Sequence, residues 1–137
     1  MSEIVCRGKA DCYWIEGFYV CLKGKEHRIY DGYAETDCGD YYPDYWKVDP
    51  KTVGQFTGRV DKNGKKVFED DILRVIVDGQ NWGIGVVQWC DHDQCFSLFV
   101  IPDSSHRLMD FGDLGLPEYY EIIGNIHDNP ELIKEDS

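Results

Sequence analysis

Long apolar runs are missing from this sequence. No stretch approaches the ~18 residues of a membrane span. The opening MSEIVCRGKA lacks the basic segment and apolar stretch of a signal peptide, so no membrane association and a cytoplasmic setting are expected. Cys-x-x-Cys pairs are missing too, although six cysteines are present: Cys6, Cys12, Cys21, Cys38, Cys90 and Cys95. In a reducing compartment free thiols are the expectation, not three bridges. There is no Gly-x-Ser-x-Gly elbow, P-loop or dinucleotide glycine pattern. No repeat or low-complexity tract is visible. An apolar pattern of period 3.6 is nowhere sustained, which argues against a helical fold.

Positive charge is scarce. Lys and Arg total 14 against 26 Asp and Glu, a net charge of -12. Such a chain repels a phosphate backbone unless its cations cluster. Residues 51–66 hold five bases and one acid, whereas residues 67–137 hold three bases and fifteen acids. The one basic stretch is therefore short and sits inside an acidic envelope. What the chain does have is apolar and aromatic content: 42% and 14% of its 137 residues. That excludes disorder and suits a single core built without metal or disulfide staples.

Gly and Pro recur at short intervals, and short β-rich runs lie between them. Residues 3–6 read as a first strand. Residues 12–22, CYWIEGFYVCL, read as a hairpin turning at Glu16-Gly17. The run HRIYDGYAE continues as a strand pairing back across Lys23-Gly24-Lys25. Residues 37–50 are the least regular. Pro43 and Pro50 argue against a central strand there, and Asp49-Pro50 predicts the start of a short helical turn. Residues 55–58 read as extended, Asp61 to Gly64 as a tight turn, and Ile72 to Val77 as a core strand. The segment 78–83, DGQNWG, reads as a turn. Ile84 to Trp89 and Phe96 to Ile101 are two strands joined through CDHDQC. Residues 104–118 are ambiguous between loop and helical turn. YYEIIGNI is a last strand, followed by a turn capped at Asn129.

TVGQFTGRVDKNGKKVFEDDIL (residues 52–73), EIIGNIHDNPELI (121–133) and CRGKADCYWIEGFYV (6–20) together resemble the YopX-like family of phage and prophage proteins. A Gly is usual in that family where Asp70 stands, and a Leu is common where Arg59 stands. The resemblance implies a mainly β fold with an SH3-like barrel, and it brings no catalytic motif. The expected architecture is one unit with little helix. An N-terminal β-hairpin extension and aromatic segment (1–50) pack on an SH3-like β-barrel core (51–130), and a tail (131–137) follows.

Within that frame, Gly64 should take a left-handed turn position. Gly58 and Gly124 should allow a bend or a close backbone contact, and Asp71 should hydrogen-bond amides of a neighbouring turn.

The candidate binding residues are Tyr41, Tyr42, Tyr45 and Trp46, with Trp82 posing the same question. Exposed, they would stack on a sugar, a base or a proline-rich peptide; buried, they would merely cover one end of the barrel. Cys90, His92 and Cys95 form a weak candidate metal site. Structural zinc sites usually pair two knuckles, and no second knuckle exists here, so a hairpin turn with incidental thiols is preferred. Glu69, Asp70 and Asp71 could hold a hard cation, but alternate side chains on an extended run diverge. No cofactor is expected. A Cys–His enzyme needs a pairing visible only in three dimensions. These readings point to a non-enzymatic phage or prophage accessory protein that binds a host or phage protein. A nucleic-acid module using Lys51, Arg59, Lys62, Lys65 and Lys66 is a less favoured alternative, and a small enzyme with a Cys/His or carboxylate site is another.

Overall fold

The computed structural model describes residues 5–35, 37–91, 94–100, 107–110 and 117–133; for residues 33–35, 41–43, 77, 82, 100, 107–110 and 133 the description is of the backbone alone. The protein is mainly β, with eleven strands and two short 3-10 turns among the described residues. It divides into two compact units, residues 1–56 and 57–137.

The first unit is an antiparallel sheet of β1 (Cys6–Ala10), β2 (Tyr13–Leu22), β3 (Glu26–Glu35), β4 (Tyr41–Lys47) and the first part of β5 (Asp49–Val60). The strand order is β4-β3-β2-β1-β5. The turn from β2 to β3 places Lys23 at φ 53° and Gly24 at φ 70°. Two successive positive φ values match the right-handed twist of the strands they join. Ile29 is fully buried and Val48 nearly so. Gly8 packs beneath them, since a methyl group there would sit 3.0 Å from Ile29 Cδ1.

The second unit holds the end of β5, then β6 (Lys66–Phe68), β7 (Asp71–Val77), β8 (Gln80–Cys90), β9 (Cys95–Val100), β10 (Arg107–Asp110) and β11 (Tyr120–Asn125). Five of these form a sheet in the order β10-β9-β8-β7-β11. Val67, Leu73, Val75, Val87, Leu98 and Tyr120 make its core, with Phe96 and Ile122 packed against them. Burying side chains of this size stabilises by about 1.5–3 kcal/mol each. The strand order is open, and the described strands do not close into the SH3-like barrel expected over residues 51–130.

Several local expectations hold. Gly64 has φ 80° and Gly58 has φ 89°. Asp71 Oδ2 accepts the Phe68 N–H at 2.8 Å. Gly124 faces Asn129 so closely that a Cβ would fall 2.5 Å from the amide oxygen. Others are corrected. Glu16-Gly17 is no turn: β2 runs straight through it, and the chain reverses at Asp11-Cys12 instead. Gly17 is there because a Cβ would lie 2.2 Å from the Tyr30 carbonyl oxygen. A strand glycine marks either a bend or a close approach, and here it is the second. The first strand begins at Cys6, and residues 1–4 lie outside the description. Pro43 lies in a strand, but one at the sheet edge, where a missing N–H is tolerated, so the expectation against a central strand holds at that position. Asp49-Pro50 opens β5, with no helical turn; Asp49 Oδ1 accepts the Lys51 N–H and the Asp49 carbonyl accepts the Thr52 hydroxyl. The turn expected over residues 78–83 shrinks to Asp78-Gly79, and within the ambiguous segment Arg107–Asp110 is a strand.

Candidate functional site

Residues directly opposite one another in an antiparallel pair point to the same face. The first unit's register therefore sorts its side chains. Arg7 faces Glu16 and Lys9 faces Trp14 across β1–β2. Phe18 faces Tyr30 and Val20 faces Arg28 across β2–β3. Tyr30 then faces Tyr45, and Arg28 faces Lys47, across β3–β4. One face thus carries Trp14, Phe18, Tyr30 and Tyr45 interleaved with Arg7, Lys9, Arg28 and Lys47. Ile29 and Gly8 take the other face, where the core lies.

The aromatic face is built in detail. The Arg7 guanidinium lies 4.7 Å and the Lys9 ammonium 5.7 Å from the centre of a Trp14 ring. The Arg28 guanidinium lies 4.0 Å from the Tyr45 ring centre. Tyr30 packs on Tyr45 at 5.4 Å with a tilt of 47°. A cation over a ring face is attracted by the ring quadrupole, which fixes both groups. Arg28 also donates from Nη1 to the Tyr30 hydroxyl at 3.0 Å and from Nε to Glu26. These bonds, the one to Tyr30 first, push the Arg28 pKa further up. Arg28, helped by Lys47 at 3.5 Å, holds the Glu26 carboxyl below its ordinary range. Phe18 is 67% exposed. It borders a groove of about 590 Å³ that Val20, Tyr30, Glu16 and Asp31 also line.

The candidate residues do not all meet. Tyr45 belongs to this face. Trp46, its neighbour in β4, points to the opposite side, where its indole donates to Asp31 at 3.1 Å. Tyr41 and Tyr42 pair with Glu35 and Ala34 through the backbone, and their side chains lie outside the described residues. Trp82 belongs to β8, and its side chain is likewise outside the description. The sequence reading missed Trp14, Phe18, Arg7 and Arg28. The signal was present as the period-2 series Trp14, Glu16, Phe18, Val20, hidden by placing a turn at Gly17.

Cys90 and Cys95 are directly opposite in β8 and β9, and His92 lies outside the described residues. Among the described residues no group of three or more His, Cys, Asp or Glu side chains is arranged to hold a metal. The sheet does bring a cysteine to a histidine: Cys21 sits opposite His27. The His27 Nδ1, however, lies 2.5 Å from the Tyr19 hydroxyl, and the two rings stack at 5.9 Å. Burial pushes the Tyr19 phenol up, and the Cys21 and Cys6 thiols act in the same direction.

The blocks around 52–73 and 121–133 build a network of turns. Asp61, 1% exposed, accepts the N–H groups of Asn63 and Lys65 on Oδ1 and that of Ile122 on Oδ2. It thereby ties its own turn to β11. Asp70 has φ 75°. Its carboxylate meets His127 Nε2 at 3.0 Å and the Gln88 amide at 3.4 Å. Its backbone donates to Val87 and accepts from Ile126. Asp70 and Asp71 therefore serve the turn before β7. Lys62, from the basic stretch, pairs with Glu121 at 3.8 Å. Among the described residues no helix is long and apolar enough to cross a membrane.

Comparison with curated proteins returned no match. The family model described as YopX protein matches residues 11–134. Those residues include β2 through β11 and the whole turn network of Asp61, Asp70 and His127, so the chain belongs to the YopX family.

Proposed function

We propose that this is a non-enzymatic accessory protein of a phage or prophage, working in the bacterial cytoplasm by binding a protein partner. The observation that carries the reading is the aromatic–cation face of the first unit. Trp, Tyr and Arg are the residue types that dominate the energetics of protein interfaces. Here Trp14, Tyr30, Tyr45, Arg7 and Arg28 hold one another in place before any partner arrives. That lowers the ordering cost of association. Phe18 beside the groove is a natural anchor for an apolar side chain of the partner. The nucleic-acid alternative draws less support, because Glu16 and Glu26 share the face and the chain carries a net charge of -12.

The test is affinity capture from infected or induced cells with the wild type and with Phe18→Ala and Tyr45→Ala. The expected outcome is one protein recovered reproducibly by the wild type and at least about tenfold less by each variant. That loss corresponds to the ~1.4 kcal/mol or more that a hot-spot truncation typically removes. Equal recovery by all three would move the binding surface elsewhere on the molecule.

A further inference from the structure

The β8–β9 hairpin carries a pair of thiols that the binding reading does not use. Cys90 and Cys95 are its closing pair, directly opposite in the register. Both are half-buried thiols outside any disulfide. Opposed residues in an antiparallel pair have Cα atoms about 4.5 or 5.5 Å apart, on the same face. Either separation falls inside the range of about 4.4–6.8 Å that a disulfide spans. The Cys95 Sγ also lies 3.7 Å from the Ser97 hydroxyl, which fixes the side of the sheet that the pair occupies. Cys6 and Cys21 make a contrast. Cys6 is opposite Gly17, and Cys21 is four residues further along β2, about 13 Å away. That pair cannot bridge without moving the backbone.

We propose that Cys90 and Cys95 form a redox site, a dithiol that closes to a cross-strand disulfide by exchange with a low-molecular-weight disulfide such as glutathione disulfide. One cysteine thiolate attacks a sulfur of glutathione disulfide, forms a mixed disulfide and expels one glutathione thiolate. The opposed cysteine, as thiolate, then attacks the protein sulfur of that mixed disulfide and expels the second glutathione. The protein loses two protons and two electrons, and one glutathione disulfide takes them up to become two glutathiones. The second step is fast relative to capture by solution thiols because its nucleophile is already held in place. Closure clasps the end of the hairpin beside Trp89 and Phe96, whose rings meet edge-on at 5.1 Å.

The folded full-length protein should be equilibrated with mixtures of glutathione and glutathione disulfide, quenched with acid, alkylated and mapped by mass spectrometry. The expected result is joint loss of alkylation at Cys90 and Cys95, with a linked peptide two hydrogens lighter. The exposed Cys12 and Cys38 should instead carry one glutathione each. In Cys90→Ser, Cys95 should accumulate the mixed disulfide that the wild type does not retain. Two outcomes overturn the site: Cys90 and Cys95 each carrying glutathione in the wild type, or both remaining alkylatable once Cys12 is fully modified.

Discussion

Asp61 is an acidic side chain inside a protein that has far too many of them, and it is almost completely buried. What makes that tolerable is three backbone N–H donors converging on its two oxygens. A carboxylate hydrogen-bonded by amides is one of the stronger neutral–charged arrangements in a protein. Asp61→Ala removes the acceptor and leaves the Ile122 amide, 61 residues away, without its partner. Each buried orphan costs about 1–3 kcal/mol, so a loss of roughly 2–4 kcal/mol is expected by urea denaturation. A midpoint within error of wild type would mean that water replaces the carboxylate at no cost. Asp70 poses a different question, since it holds φ 75°, a left-handed backbone that favours glycine. Its left-handed backbone costs about 1 kcal/mol more in any Cβ-bearing residue than in glycine. Its bonds to His127 and Gln88 offset that strain. Asp70→Ala keeps the strain and loses the bonds, whereas Asp70→Gly loses both. Denaturation should therefore rank wild type and Asp70→Gly close together, with Asp70→Ala about 1–2 kcal/mol below. Equal stability of the Ala and Gly variants would remove backbone strain from the account.

Elements were legible where local chemistry decided them. Asp61 to Gly64 announced a turn through Asn63-Gly64. The β-branched run Ile72 to Val77 announced a buried strand, and Cys90 to Cys95 announced a hairpin. They were illegible where a tertiary neighbour decided. Gly17 is required by the Tyr30 carbonyl on the next strand, and nothing within β2 reveals that approach. Pro43 is compatible with a strand only because β4 is an edge, a property of sheet order and not of the local sequence. The aromatic–cation face went unread for the same reason. Its alternation is continuous only if β2 is continuous, and its cations come from β1, β3 and β4. The β3–β4 pair also makes a pH-dependent prediction. Arg28 and Lys47 hold the folded-state pKa of Glu26 below its unfolded value. A depressed carboxyl contributes stability above the ordinary Glu pKa of about 4.3 and loses it as pH falls through the folded value. Thermal melts from about pH 5 down to pH 2 should thus show the wild type losing more Tm than Glu26→Gln. Parallel curves would show that the exposed ion pair is screened to no effect.

At the scale of the whole molecule, charge is what distinguishes the two units. Residues 1–56 carry 7 bases and 10 acids, a net of -3; residues 57–137 carry 7 bases and 16 acids, a net of -9. The aromatic–cation face therefore lies on the less acidic unit, with Arg7, Lys9, Arg28 and Lys47 against Glu16 and Glu26. Aromatics interleaved with cations are also how sequence-blind proteins hold single-stranded nucleic acid, so the two partner classes need separating by measurement. Phosphate binding draws its strength from counterion release, which requires several cations unopposed by nearby carboxylates. Here Glu26 already pairs with Arg28 and Lys47, and in the basic stretch Glu121 pairs with Lys62. Fluorescence anisotropy with a labelled oligothymidylate should consequently show no binding tighter than about 100 µM near 0.15 M salt, the weak end of non-specific affinities. Tight binding that weakens steeply with added salt, and that Arg7→Ala and Lys9→Ala diminish, would assign the face to nucleic acid. Absence of oligonucleotide binding, together with Phe18-dependent capture of a protein, would assign it to an interface.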